Sequence, residues 1–347
     1  LSEGLARGIQ GNKKLQKFPS SQRVYFPGGK APQAGEIFRN PDLARTLKML
    51  VEAERKAKRK GRRAALQAAR DRFYKGDIAR QMAAFSEANG GLFRYEDFAS
   101  YTAKVETPVS SDYRGYTVYK NPSATQGPAE LFALNILRGY DLKSMGHNSA
   151  DYIHVNVEAV KLAMADREVY LADADFVRIP FPALLAEPFA AARRALIDMT
   201  RASAEFRPGN AGQGPLPAVS VTTGDADHEG DTSYLAVVDA RRNTVSWTPS
   251  LHSGFGTGVV MGELGFSFNC RGDYFSLDPN HPNSLQPGKR PRSTLTPTLI
   301  LKDGKPFLAV GSPGGDDQPA RIFQTFLNIV EFGMNVQAAI EAPRWTT

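Results

Sequence analysis

The sequence predicts an α+β protein in which helices cover antiparallel β-sheets. Helical periodicity dominates the first two-thirds of the 347 residues, and β-hairpin patterns follow residue 232. A segment rich in glycine and proline separates the two parts. Strands that are grouped together and followed by helices, rather than alternating with them, are typical of this class.

The bulk composition is that of a globular chain, with 41% hydrophobic and 23% charged residues. By length it could form one large or two smaller domains. No apolar run reaches the ~18 residues that a membrane-spanning helix needs, and no signal-like segment opens the chain. Because the chain starts at Leu1 without an initiator Met, we interpret it as a fragment or a processed product. The sequence does not distinguish a periplasmic or secreted location from a cytoplasmic one.

The net charge of +7 is concentrated in residues 55–63. Such a basic run can contact nucleic-acid phosphates. However, it lies in a largely helical stretch, residues 41–72, and lacks interleaved aromatic residues or a known nucleic-acid motif. The first turns of that stretch carry an apolar stripe, formed by Leu43, Leu47, Leu50 and Val51. A solvated helix face is therefore the preferred interpretation, and no nucleic-acid partner is predicted.

The sequence predicts neither a metal nor a cofactor. Cys270 is the single cysteine, which excludes a disulfide framework and a multi-cysteine metal site. His154 lies in a predicted helix without a second His or Cys at ligand spacing, and the other four histidines are scattered.

The part before residue 232 is predicted to be mostly helical. Residues 1–35 show no clear period, and we interpret them as a loop or the remains of a cut segment. Residues 41–100 are mostly helical, with a stop at 89–91, and residues 107–120 form short strands around a turn. Further helices are predicted over residues 128–138, 151–171 and 184–200. Residues 201–223 have the composition of a linker.

After residue 232 the pattern changes to hairpins and two closing helices. The strands are predicted at Tyr234–Val238, Thr244–Thr248, Thr294–Leu301 and Lys305–Val310. Asp303 and Gly304 form a strong hairpin turn between the last two. Because both faces of the first strand are largely apolar, that strand is predicted to be buried. Helices follow at residues 322–330 and 335–341.

Thr232 stands where an acidic, glycine-bearing loop, residues 224–231, runs into the first of these strands. This arrangement would be explained if the peptide bond between Asp231 and Thr232 is cut. The freed α-amine of Thr232, with an unperturbed pKa near ~8, could then act as the base for its own hydroxyl. The alternative is a plain loop-to-strand junction.

Three other places could carry chemistry. Gly314 and Gly315 lie between a predicted strand and a helix, where their N–H groups could stabilise an oxyanion or form only a tight turn. They lack the Lys-Ser/Thr of a phosphate loop, so no nucleotide is predicted. Ser293 and Thr294 could bind a carboxylate through two hydroxyls, or supply turn chemistry. Ser250 follows the strand that pairs with the one begun by Thr232, which would bring it near Thr232.

In their joint order, these features resemble the γ-glutamyltransferase family of N-terminal-nucleophile hydrolases. The matching phrases before residue 232 are Phe73–Gly76, Gly90–Leu92, Glu96–Asp97, Tyr113–Tyr116 and Glu158–Arg167. The matching phrases from residue 232 onward are Thr232 itself, Val237–Asp239, Phe255–Gly258, Pro287–Pro291 and Gly311–Gly315.

The resemblance implies an αββα sandwich made as one precursor that cuts itself before Thr232. Residues 1–231 would be the C-terminal part of the large subunit, and residues 232–347 the small subunit. A homodimer of such heterodimers is compatible with it.

The resemblance also implies roles for the candidate residues. Thr232 would be the nucleophile, and Ser250 falls where the family has a second Thr that supports it. Gly314 and Gly315 would form the oxyanion hole. Ser293 and Thr294, two neighbouring hydroxyls, would hold the α-carboxylate of the acyl donor.

The chain departs from the family in the phrase at residues 269–275. Tyr274 replaces the acidic residue that would hold the α-ammonium of a γ-glutamyl donor, and Arg271 replaces a neighbouring Gln. Asp273 keeps the first acidic position, and His252 stands where the family has a donor-contacting Asn. Because a tyrosine hydroxyl is neutral at pH 7 and Arg271 adds positive charge, a cationic ammonium should be held poorly.

The function predicted is therefore an autoprocessing γ-glutamyltransferase-like amidohydrolase or acyltransferase. A small amide, such as a glutathione-type donor, would form an acyl-enzyme that water or an amine resolves. The insertion at residues 316–319 could restore some negative charge to the donor pocket. Two alternatives stay open: a glutaryl-type (cephalosporin) acylase of the same family, or a catalytically inactive relative that acts as a binding module.

Overall fold

The computed structural model describes residues 1–212, 214–216, 219 and 230–346. The chain divides into two compact units. The first unit contains Leu1–Val105 and Leu251–Cys270, and the second contains Glu106–Ser250 and Arg271–Thr347. Among the residues described, no helix combines the length and apolar character needed to cross a membrane. The predicted subunits, residues 1–231 and 232–347, are defined by a cut in the polypeptide and not by compactness. These two compact units therefore do not test them, and the subunits stay a prediction.

The first unit is largely helical. Its α-helices are α1 (Glu3–Gly11), α2 (Pro19–Tyr25), α3 (Pro41–Ala57), α4 (Arg62–Tyr74), α5 (Asp77–Ala88) and α6 (Tyr95–Ala99). The prediction of a mostly helical segment over residues 41–100 is confirmed. The predicted stop is also present, since Gly90 follows α5 with a φ of 72°, in the left-handed region that favours glycine.

Residues 251–270 return to these helices and complete the first unit. The Ser21 hydroxyl donates a hydrogen bond to the Gly258 carbonyl at 2.7 Å, and the Thr46 hydroxyl donates to the Leu264 carbonyl at 2.9 Å. Leu264 is also part of an apolar core to which α5 contributes. The first unit is therefore built from two segments that are far apart in the sequence.

The prediction that residues 1–35 form a loop is wrong, because they carry α1 and α2. Ser2 caps α1 by accepting the Leu5 N–H at 3.2 Å, and Ile9 is buried. The two helices have only nine and seven residues, and they stand among Gly, Pro, Ser and Lys residues that are typical of loops. Short helices of this kind depend on tertiary packing, which a local pattern does not report.

The second unit contains a four-stranded antiparallel sheet. Its strands are β1 (Val109–Tyr113), β2 (Tyr116–Lys120), β7 (Thr298–Lys302) and β8 (Lys305–Val310), in the order β1-β2-β7-β8. Both predicted hairpin turns are confirmed. Arg114 and Gly115 have φ of 52° and 84°, and Asp303 and Gly304 have φ of 50° and 71°, as tight two-residue turns require.

Helices of the second unit bury one face of this sheet. They are α7 (Pro128–Leu137), α8 (Leu142–Met145), α9 (Ala150–Tyr170), α10 (Phe181–Leu184), α11 (Glu187–Arg194), α12 (Gln318–Val330) and α13 (Val336–Glu341). Val118 and Ile300 of the sheet share one core with Leu131, Phe323 and Phe326 of the helices. The predicted helices at 128–138 and 151–171 are confirmed within one residue or two. The helix predicted over 184–200 is shorter.

Two small sheets hold the segment around residue 232. Strand β3 (Gly230–Thr232) pairs with β6 (Ser250–Ser253), and β4 (Leu235–Val238) pairs with β5 (Thr244–Trp247). Thr232 therefore ends a strand rather than opening one. The hairpin joining β4 to β5 is confirmed.

The predicted burial of β4 is wrong. All four of its residues are exposed, including Val237 at 54% and Val238 at 60%. Apolar residues on both faces indicate that a strand can be covered, but distant parts of a chain decide whether it is. Of the predicted linker and acidic loop, residues 213, 217–218 and 220–229 lie outside the described residues.

Candidate active site

Thr232 and Ser250 lie side by side in the second unit. The Thr232 hydroxyl donates a hydrogen bond to Ser250 Oγ at 3.0 Å. The backbone supports this pair, since the Ser233 N–H donates to the Pro249 carbonyl at 3.0 Å. Both side chains are half-buried. The predicted proximity of Thr232 and Ser250 is thus present, and it can orient the Thr232 oxygen.

The loop that follows β8, residues 311–315, faces the Thr232 hydroxyl and is called the glycine loop below. Thr232 Oγ1 lies 3.5 Å from the Gly314 carbonyl oxygen. Gly314 has a φ of 128°, which a residue with a side chain adopts only under strain. Gly311 packs against the Tyr234 ring so closely that a Cβ there would overlap the ring. The absence of a side chain at Gly311 therefore lets Tyr234, two residues after Thr232, approach the loop.

Gly315 already binds an anionic oxygen. Its N–H donates to Asp317 Oδ1 at 3.1 Å, and Asp317 also forms an ion pair with Arg321. The arrangement shows that this N–H can bind a negatively charged oxygen, although a substrate oxyanion would have to replace the carboxylate. The sequence analysis does not predict this contact, because it treats residues 316–319 only as a source of negative charge. A carboxylate two residues after a glycine pair is the signal that could have found it.

The two hydroxyls predicted to bind a carboxylate lie in a hydrogen-bonded turn. The Ser293 N–H donates to the Ala124 carbonyl at 2.8 Å, and Ser293 Oγ accepts the Leu295 N–H at 3.1 Å. Thr294 is buried, and its Oγ1 accepts the Tyr274 hydroxyl at 3.4 Å. Thr294 and Tyr274 therefore belong to one polar group, and their predicted contact with a donor stays a prediction.

Arg271, Asp273 and Tyr274 share one short 3₁₀ turn, Arg271–Tyr274. The Arg271 guanidinium lies 5.8 Å from the centre of the Tyr274 ring. Burial is the main cause that raises the pKa of Tyr274, so its hydroxyl is neutral at pH 7. Asp273 is exposed. The surroundings of Thr294 therefore combine a neutral hydroxyl with a nearby cation.

A buried ion network lies next to this group. Glu168 accepts two hydrogen bonds from Arg292 Nη2, at 2.9 and 2.7 Å, and it also pairs with Arg167. Burial alone would raise the pKa of Glu168, but the two guanidiniums hold it well below its usual range. Arg167 Nη1 reaches Asp316 Oδ1 at 2.9 Å. The negative charge of the 316–319 insertion is therefore offset by arginine, at Asp316 and likewise at Asp317.

His252 belongs to the first unit. It is buried and has a φ of 84°, which is unusual for a residue with a side chain. Its Nδ1 lies 3.2 Å from the Cys270 carbonyl oxygen and 3.4 Å from Cys270 Sγ. These contacts give His252 a place in the first unit, and its predicted contact with a donor stays a prediction.

The whole chain is similar in sequence to proteins of one family. The family described as Gamma-glutamyltranspeptidase matches residues 1–347. The Glutathione hydrolase proenzyme of Escherichia coli (strain K12) is 36% identical, over 99% of this chain and 57% of the relative. The Glutathione hydrolase-like YwrD proenzyme of Bacillus subtilis (strain 168) is 37% identical, over 95% of this chain and 57% of the relative.

Solved structures agree with the sequence relatives. The cephalosporin acylase from Bacillus halodurans superimposes with a TM-score of 0.82 and 32% identity, over 100% of this chain and 59% of that protein. The predicted α+β class of the N-terminal-nucleophile hydrolases is therefore confirmed. The chain spans less than three-fifths of the length of each of these proteins. On this evidence, the chain belongs to the gamma-glutamyltranspeptidase family.

Proposed function

We propose that the protein is an autoprocessing amidohydrolase or acyltransferase whose nucleophile is Thr232. The observation that carries the proposal is the hydrogen bond from Thr232 Oγ1 to Ser250 Oγ, at 3.0 Å, in front of the glycine loop. Two of the relatives are named proenzymes. That name supports a precursor cut between Asp231 and Thr232 into a large and a small subunit, two copies of which could associate.

The mechanism follows from the free amine that this cut would create. The α-amine of Thr232 accepts the proton of the Thr232 hydroxyl, and Oγ1 attacks the amide carbonyl of the donor. Ser250 orients Oγ1. The oxyanion of the tetrahedral intermediate takes the place of Asp317 on the Gly315 N–H, with Gly314 beside it. Collapse of the intermediate breaks the C–N bond, and the amine leaves with a proton. Water or an acceptor amine then attacks the Thr232 ester and releases the acyl group.

The names of the relatives suggest two classes of donor. A glutathione hydrolase acts on a γ-glutamyl amide, whereas a cephalosporin acylase is also similar to this chain. In either class, Ser293 and Thr294 would bind the carboxylate of the acyl group. Tyr274 and Arg271 favour the second class, because a glutaryl-type group carries a carboxylate but no ammonium.

Mass spectrometry of the full-length protein tests the nucleophile. We expect a fragment that begins at Thr232 in the wild type and in Thr232→Ser, which keeps a hydroxyl. Thr232→Ala should yield neither the fragment nor turnover. An intact wild-type chain without amidase activity would contradict the proposal and leave the alternative of an inactive relative.

Turnover of paired anilides tests the donor. We expect a glutaryl anilide to be cleaved faster than the matching γ-glutamyl anilide. The double change Arg271→Gln with Tyr274→Asp should shift the ratio toward γ-glutamyl by about tenfold, the effect of roughly 1.4 kcal/mol in a charge interaction. A wild type that clearly prefers γ-glutamyl would contradict the predicted shift.

A further inference from the structure

We propose that Gln126 is a positioning residue for this reaction, because it joins the turn that carries the Ser293 and Thr294 hydroxyls to the glycine loop that carries Gly315. The inference rests on the proposed function. In the sequence, Gln126 is only part of a loop before α7. In the structure it is almost fully buried, with 1% of its surface exposed.

The side-chain amide of Gln126 donates to two backbone carbonyls that belong to different parts of the candidate site. Nε2 lies 2.9 Å from the Thr294 oxygen and 3.1 Å from the Gly315 oxygen. An amide nitrogen carries two hydrogens, so each carbonyl receives one. The backbone N–H of Gln126 also donates to the Ser293 carbonyl at 2.8 Å. Gln126 is therefore the common neighbour of the predicted carboxylate site and the predicted oxyanion site.

Arg167 fixes the orientation of this amide. Its Nη1 donates to Gln126 Oε1 at 2.6 Å. Because a guanidinium can only donate, the oxygen of the amide must face Arg167 and the nitrogen must face the two carbonyls. Arg167 is itself held by Glu168 and Asp316. If the amide were rotated by half a turn, its oxygen would face the two carbonyl oxygens and its NH₂ group would face the Arg167 guanidinium.

Gln126 can thereby set the distance between the site for the donor carboxylate and the site for the donor amide carbonyl. A donor bound by its carboxylate at Ser293 and Thr294 must present its amide carbonyl to Thr232 and Gly315. The spacing of these sites sets how well the reacting atoms are aligned, and a misplacement of about 1 Å can cost roughly 100-fold in rate. By holding Thr294 and Gly315 through one buried group, Gln126 keeps this spacing constant.

The test is Gln126→Met in the full-length protein, which keeps the length of the side chain but removes both donors. The matched control is Gln324→Met. Gln324 is also buried, and its Nε2 likewise donates to two backbone carbonyls, those of Ala320 and Trp345, each at 3.0 Å. Kinetics are measured with whichever anilide the wild type cleaves faster.

We expect Gln126→Met to lower kcat/KM by about 100-fold, with kcat reduced and KM raised. Gln324→Met should lower the melting temperature to a similar degree but stay within about threefold of wild-type kcat/KM. The inference would be overturned if Gln126→Met had wild-type kinetics, or if Gln324→Met lost as much activity as Gln126→Met. Neither result would affect the proposed function. A wild type inactive on both anilides would overturn the proposed function and the inference with it.

A second variant covers the case in which Gln126→Met does not fold. Gln126→Glu keeps the shape of the side chain but puts a carboxylate against two carbonyl oxygens. Protonation would restore one donor, so its activity relative to wild type should rise as the pH falls. A ratio near one at every pH overturns the inference. It is also overturned if neither Gln126 variant folds while Gln324→Met does, since the role of Gln126 would then be structural.

Discussion

Arg167 in the second unit and Arg72 in the first unit each pair with two carboxylates, but their surroundings differ. The side chains of Arg167 and Glu168 are only 8% and 7% exposed. Arg72 pairs with Asp77 at 3.0 Å and with Glu52 at 3.4 Å, and these carboxylates are 48% and 58% exposed. The Arg167–Glu168 pair is therefore out of water, although Asp316, the second partner of Arg167, is 47% exposed, whereas both carboxylates that pair with Arg72 are in contact with water.

The difference indicates which charged pairs the stability of the fold depends on. In an exposed ion pair, water can take the place of either charged group, so the pair contributes little to stability. A buried pair cannot, so removal of one partner leaves an uncompensated charge in the interior. Arg167 also orients Gln126, whereas Arg72, Glu52 and Asp77 tie together the helices α3, α4 and α5 at the surface.

The largest effect is expected for Glu168→Gln. It removes the charge that compensates both Arg167 and Arg292, and should lower the free energy of unfolding by roughly 3–5 kcal/mol. Urea denaturation at pH 7 measures the loss. A loss below about 1 kcal/mol would show that water reaches this network and would break the comparison.

The pH dependence should be the next largest effect. The ion pairs lower the pKa of Glu168 in the folded state below the value of 4.5 expected when unfolded. A lowered folded-state pKa contributes stability that is present above the unfolded pKa and is lost as the pH falls below it. We therefore expect the gap in unfolding free energy between wild type and Glu168→Gln to narrow as the pH is lowered from 5 to 3. A gap that stays constant or widens contradicts the assignment.

The smallest effect is expected for Asp77→Asn. The hydrogen bond from Arg72 is the main cause that lowers the pKa of Asp77, but the carboxyl is about half exposed. We expect a loss of about 0–1 kcal/mol, and less at 1 M salt, where surface charges are screened. A loss as large as that of Glu168→Gln would erase the distinction between the two arginines.

Local features of the fold were predictable, and non-local ones were not. The turns at Arg114–Gly115 and Asp303–Gly304 follow from residue chemistry over two positions, and α9 follows from a sustained period. The exposure of β4 depends on what the rest of the molecule places beside it. The helix α1 is not predicted, because it has only nine residues and its stability comes from packing.

The candidate site divides in the same way. The proximity of Thr232 and Ser250 follows from strand pairing, and the glycine loop follows from its place between β8 and α12. The Asp317 contact to Gly315 and the role of Gln126 were missed. Gln126 is separated from Gly315 by 189 positions, and a buried amide at such a distance leaves no spacing signal.

The discontinuous first unit has a consequence for the two halves of a processed precursor. A cut before Thr232 would place Ser21 and Thr46 on one polypeptide, and their acceptors Gly258 and Leu264 on the other. The two products would then share one folded unit and one apolar core. They could dissociate only by unfolding it, so cleavage would change the covalent connectivity of the protein without releasing either half.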